Sequence, residues 1–256
     1  MDLVDPTVLF EAENHLIDRS FSFLRSDETR QRQINFFDLL VVVNHAWIMQ
    51  NPKPSEDEMT IQFIGARLFN QARVSYRCLL SGYYQTSVSI QRDIIEIQFL
   101  LDYFHTDKPK IKEWRESDNL QRFRKFSPGV LYPILDKRDG FEEGKRKKQY
   151  QMFCEYAAHV SYPGMKLMAN NANLIEAGPF YDEHKLIHTL IELNRRYAHA
   201  VITLTSLLSL TKAECIGLFL ELGNQADAII GTSITKGKSY IYTQKTYEDY
   251  LKQNKT

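Results

Sequence analysis

Apolar residues recur three and four apart along most of the chain, and strict alternation over a strand's length is absent until "SYIYT" at 239–243. The pattern predicts an all-α protein, a multi-helix bundle with antiparallel core helices and a short C-terminal extended segment. A first helix follows Asp5-Pro6 with Phe10, Ile17, Phe21 and Leu24 inward. A second carries Ile34, Phe37, Val41 and Ile48 until "NPKP" at 51–54 breaks it. Ser55 with Glu58 three residues on is a capping-box start. The stripe behind it reads Ile61, Ile64, Gly65, Leu68, Ala72, Ser75, Leu79 and Tyr83, and its small members predict close approach of another helix.

A fourth helix spans about 86–104. The Pro- and Gly-punctuated region 105–149 reads as short helices and turns, followed by a helix over about 145–162. After a loop holding Gly178-Pro179-Phe180, a long helix covers about 181–210. Thr211 and Glu214 form a second capping-box pattern before a short helix that Gly223 would close. Residues 1–235 read as one helical domain and 236–256 as a loosely held tail.

Thirty-two basic residues balance thirty-two acidic ones in a chain of 256, so no global field points to nucleic acid or an anionic membrane. Cys78, Cys154 and Cys215 are widely spaced and odd in number, which disfavours a disulfide framework and a thiolate metal site and fits a reducing cytoplasm. The start lacks a basic segment followed by an apolar one. The longest apolar run, near 198–210, is interrupted by His199, Thr203, Thr205 and Ser206, so neither secretion nor membrane insertion is signalled.

On a helical wheel of 89–104 the uninterrupted polar arc holds Gln91, Gln98 and Asp102, which reads as the solvent face. Arg92 and Glu96, one turn apart, then point inward and must pair with each other or with neighbouring helices, because an unpaired buried charge costs several kcal/mol. Such a pair is either an interhelical clamp or part of a functional pocket.

His159, in "CEYAAHVSYPG" (154–164), falls beside Glu155 near the end of its helix, where Pro163 would stop the helix. It reads as a capping histidine or as a proton-transfer or anion-binding group. The wheel puts Tyr150, Phe153, Cys154, Ala157 and Val160 on the apolar face of that helix. His184, His188 and Glu192 step by four along one face, a geometry that could reach one divalent metal and that equally describes a wet helix side. No metal or other cofactor is favoured. Between 122 and 148 nine basic residues face four acidic ones, and Lys137, Arg138, Lys145, Arg146, Lys147 and Lys148 could receive phosphates.

Four segments, "FSP" (126–128), "LDKRDGF" (135–141), "EYAAH" (155–159) and "GPF" (178–180), occur in this order, and through them the stretch 60–210 resembles a family of helical bacterial and mobile-element proteins with no assigned activity. The arrangement Arg92-Asp93-Ile94-Ile95-Glu96 followed by a helix-end histidine also resembles, remotely, HEPN domains. These are helical bundles that often dimerise and in many cases cleave RNA in toxin or antiviral systems.

Ribonuclease members of that group place an arginine four to six intervening residues before a histidine. Here no histidine follows Arg92 at that distance, and Arg195 and His199 have only three residues between them. The resemblance implies a metal-independent ribonuclease centre rebuilt from Arg92, Glu96 and His159, with Asp136–Phe141 completing the pocket, or no such centre at all. The expected functions are thus a HEPN-like effector acting on RNA, a non-catalytic interaction or regulatory protein that could form a homodimer, or, more distantly, a metal-binding helical protein.

Overall fold

The computed structural model describes residues 5–141, 143–170, 172–208 and 213–236, with 241, 243–245, 247–248 and 252. The elements are α1 (Pro6–Arg25), α2 (Glu28–Met49), α3 (Glu56–Leu80), α4 (Tyr84–Thr106), α5 (Pro109–Glu116), α6 (Asn119–Phe126), α7 (Pro128–Arg138) and α8 (Lys145–Phe153). A π turn (Cys154–Ala158), α9 (Tyr162–Met165), a 3₁₀ turn (Lys166–Met168), α10 (Glu183–Leu207) and α11 (Ala213–Ile230) follow. Among the described residues there is no strand, only an isolated bridge between Ala169 and Ile175. The protein is an all-α multi-helix bundle.

Its centre is α4 and α10, flanked by α2 and α3. Only Ser81–Tyr83 separates α3 from α4, so these two run antiparallel, and Ser75 bonds Ser87 at 2.9 Å while Arg67 pairs with Asp93. In contrast, α4 and α10 run parallel. The Asp182 N–H donates to the Tyr84 hydroxyl (3.0 Å), Gln91 Nε2 donates to the Thr189 carbonyl (3.2 Å), and His105 meets Ser206 (2.9 Å) in ascending order on both helices. A parallel pair needs a long return connection, and residues 107–182 supply it by wrapping α5 to α9 around the outside.

The local signals for α3 hold. The Ser55 hydroxyl accepts from the Glu58 N–H while Glu58 returns to the Ser55 N–H, and every stripe residue from Ile61 to Leu79 is buried. A Cβ on Gly65 would lie 2.6 Å from Ile48 Cγ2 and 3.1 Å from Leu204 Cδ2, so its missing side chain is what lets α2 and α10 approach together. Neutral polar groups are buried in pairs here: Asn44 Nδ2 donates to the Tyr197 hydroxyl at 2.9 Å, and Tyr197 packs near Phe37. On the first helix Leu24 is buried but Phe10 is 68% exposed, because α1 meets the bundle chiefly by its C-terminal half.

Three expectations change. The arc Gln91, Gln98, Asp102 is no solvent face: α4 is enclosed by α3, α10, α7 and α8, and Gln91 is fully buried against α10. The helix expected over 145–162 leaves α geometry at Cys154, and Pro163 opens the next helix instead of stopping this one, with Ser161 as its N-cap. Gly223 does not close α11, which continues to Ile230. Thr211, on which the second capping-box pattern depends, lies outside the described residues, as does most of 239–243, of which Ile241 and Thr243 are helical. No helix among the described residues is long and apolar enough to cross a membrane.

Candidate functional site

The charges of α4 meet the later part of the outer wrap. Arg92 Nη2 lies 2.6 Å from Glu96 Oε1 and donates to the Tyr150 hydroxyl (2.6 Å), Tyr150 in turn donates to Glu96 (2.7 Å), and Arg92 Nε donates to Cys154 Sγ (3.3 Å). One guanidinium thereby ties α4 to α8 and to the first residue of the π turn. The pair is only partly buried, with side chains 33% and 29% exposed. Burial and the bond to Glu96 push the Tyr150 phenol well above its usual range, so it stays protonated as the bridge. Partial burial opposes the Arg92 charge, but Cys154, Tyr150 and Glu96 more than offset it.

Sequence reasoning found the Arg92–Glu96 pair and missed Tyr150 and Cys154, which the wheel assigned to an apolar face. The buried arginine is a different one. Arg196 on α10 is 5% exposed, pairs with Glu192 and lies over the Phe153 ring, and burial lowers its pKa. Glu192 also accepts from Arg195, so its carboxylate is the counter-ion of two arginines. His184 and His188 stack at 6.3 Å, and no group of three or more His, Cys, Asp or Glu among the described residues is placed to hold a metal ion.

His159 sits elsewhere. Its N–H donates to the Cys154 carbonyl (3.0 Å), the five-residue span of a π turn, and its own backbone is extended (φ −104°, ψ 149°). The helix has thus ended before Val160, which was expected on its apolar face and is 100% exposed. His159 borders a cavity of about 460 Å³ with Gln85, whose Nε2 donates to the Ala157 carbonyl at 2.6 Å. Gln85 precedes Arg92 by seven residues, a rise of about 10 Å along α4. The cavity containing Glu96 is a separate one of about 270 Å³, walled by Ile64, Arg67, Trp114 and Phe126, and Asp136–Phe141 line neither. Arg92, Glu96 and His159 are therefore not assembled into one pocket.

The segment around His159 presents large apolar side chains outward: Tyr156, Val160, Tyr162 (79% exposed), Met165, Leu174 and Ile175, with Met152 and Met168 beside them. Val160, Met165, Met168 and Ile175 converge on the His159 cavity, so these four form one patch. We refer to residues 152–175 as the cap.

The basic middle divides in two. Arg138 pairs with Asp102 and Asp139, and Arg146 with Asp136, Asp139 and Asp102, closing a five-member charge network between α4, α7 and α8. Arg138's hydrogen bonds hold the Asp139 carboxyl down at about 2, with Arg146 adding to the effect against a partial burial penalty. Neither arginine is left to receive phosphate. Lys148 pairs loosely with Glu143, and Lys145 lies 4.8 Å from the Phe141 ring centroid. Lys137 and Lys147 are exposed and have no ion-pair partner among the described residues.

The class of protein defined here is an all-α bundle with a parallel central pair and an outward apolar cap. No family model matches the chain, and neither a curated protein nor a solved structure is significantly similar to it.

Proposed function

We propose that this protein is a non-catalytic helical interaction module that pairs with a second copy of itself through the cap. The observation that carries this reading is the apolar exposure within residues 152–175, of which Val160, Met165, Met168 and Ile175 share one cavity. Apolar patches of this kind mark interaction surfaces, and interfaces between identical chains are the more apolar class. The Arg92–Tyr150–Glu96 cluster is then architectural: it fastens the root of the cap to α4 by hydrogen bonds from the Nε and Nη2 of Arg92.

Light scattering on purified protein tests the reading. The wild type runs as a dimer, and Val160→Asp with Tyr162→Asp gives a monomer with an unchanged melting temperature. A wild type that stays monomeric as its concentration rises would overturn it.

A HEPN-like effector acting on RNA is the second reading, favoured by the exposed imidazole of His159 on its own cavity, two helical turns along α4 from Arg92. In that reading His159 moves a proton, Arg92 stabilises phosphate charge, Glu96 holds Arg92, and the α7–α8 lysines bind the strand. Expression in a bacterial host with total-RNA profiling separates the two. Growth arrest with RNA cleavage by the wild type and not by His159→Ala would establish the enzyme; intact RNA in both favours the interaction module.

A further inference from the structure

His159 is the one ionisable side chain on the wall of the cap's cavity. The rest of that wall is uncharged: Gln85, Ser161 and Gly164 with apolar side chains of the cap, around a space of about 460 Å³. The His159 side chain is exposed, and its ring makes no hydrogen bond or ion pair with the described residues.

The charged and titratable groups nearby are all engaged elsewhere or stand off the wall. On the π turn, Glu155 and Tyr156 are exposed and outside the cavity, and the Cys154 thiol accepts from Arg92. On the 3₁₀ turn, Lys166 is exposed and outside it too. In the loop before α10, Glu176 lines the adjoining cavity and accepts from Asn170. At the start of α4, Tyr83 donates to Glu13, and farther along Arg92 is held by Glu96 and Tyr150.

An uncharged hole accepts an apolar projection, and the cap carries its own: Tyr162 is 79% exposed and Leu174 is 64% exposed. In a two-fold pair both copies use the same patch, so each hole meets the other copy's projections and two imidazoles enter one interface. Neutral imidazoles suit an uncharged interface. Imidazolium ions buried there without a counter-ion are costly, and two of them repel each other.

We propose that His159 makes the self-association of the cap pH-dependent, the pair forming with neutral imidazoles and coming apart as they take up protons in mildly acidic solution. This rests on the self-pairing reading of the cap and adds its regulation. The pair binds fewer protons than two separate copies, so pairing is strongest above the ordinary imidazole range, near about 6.5, and weakens as pH falls through it. Complete exclusion of one proton from each copy sets a ceiling of about a hundredfold on the rise in dissociation constant between about pH 8 and about pH 5.5.

Sedimentation equilibrium of the full chain across that range, at constant ionic strength, tests the switch. The wild-type dissociation constant rises at least about tenfold toward the acidic end while the far-ultraviolet circular dichroism holds, and His159→Gln, neutral at every pH, changes less than about threefold. His159→Phe supplies a second neutral comparison in case glutamine itself loosens the pair. A wild-type pair that is equally tight or tighter at the acidic end, or a pH dependence that survives in both His159 variants, overturns the switch and leaves self-pairing standing. A wild type that is monomeric near pH 8 at every concentration overturns self-pairing, and the switch with it.

Discussion

The central bundle and the cap obey opposite rules within one chain. In α2, α3, α4 and α10 the apolar stripes turn inward and buried polar groups find partners, neutral ones as with Asn44 and Tyr197 or Gln91 and Thr189, and one charged one, Arg196, with Glu192. In residues 152–175 regular helix gives way to a π turn, a single-turn helix and a 3₁₀ turn, and the large apolar side chains face outward. The contrast teaches that apolar surface in this protein is not surplus from an imperfect core. It is concentrated where helical hydrogen bonding lapses, on a segment that the rest of the fold holds by a few polar anchors.

The largest effects test whether burial alone divides the two regions. Phe104 is fully buried, and Phe104→Ala should cost about 3–5 kcal/mol in urea unfolding, whereas Val160→Ser measured on monomeric protein should change stability by less than about 0.5 kcal/mol. Comparable losses at the two positions would erase the distinction. Next comes Gly65→Val, which forces Ile48 and Leu204 apart and should lose about 1–3 kcal/mol, with the change confined to unfolding midpoints and not to dimer formation.

The anchor between the regions is weaker because it is a third exposed. Arg92→Met leaves Glu96 without its cation and should cost about 1–2 kcal/mol, and adding Glu96→Leu should recover most of that loss. Hydrogen exchange over 154–158 should quicken in the single variant while the centre of α10 stays protected; uniform quickening would mean that the cluster supports the core and not the cap.

The smallest effect is acidic. The Asp139 carboxyl sits at about 2 in the folded protein against an ordinary 3.8, so its stabilisation is present above about pH 4 and fades as pH falls toward 2. The melting-temperature gap between wild type and Asp139→Asn should therefore be widest near neutrality and close on acidification. A gap that persists at about pH 2 would assign the residue a role beyond its pairing with Arg138 and Arg146.

The bundle was legible wherever one helix kept one phase for several turns. Ser55 and Glu58 announced α3, and the stripe from Ile61 to Leu79 named its buried face residue by residue. Legibility failed where phase or surroundings changed. The helix ends in a π turn at Ala158, which leaves Val160 fully exposed instead of on an inner face, and Pro163, which can end or begin a helix, begins one. On α4 the wheel gave the right pair, Arg92 and Glu96, but took Gln91 to be wet, since a single helix's pattern does not reveal that neighbours cover every side.

Tyr150 was hidden for a related reason. Its ring suits an apolar face, and only the tertiary meeting with α4 shows that its hydroxyl is what matters. The division of the basic middle depended likewise on Asp102, more than thirty residues away in the chain, which draws Arg138 and Arg146 inward and leaves Lys137 and Lys147 outside.

Gly82, in the turn between α3 and α4, holds φ at +83°, and a Cβ there would stand 2.3 Å from the Phe180 carbonyl oxygen. The Gly178-Pro179-Phe180 loop thus runs directly across a turn almost a hundred residues earlier. Two stretches far apart in the text of the sequence are bound into a single spelling rule: a chain that builds this architecture and carries a side chain at 82 must reroute the loop before α10. Glycine at the one place and a tight loop at the other are therefore constrained together in this chain.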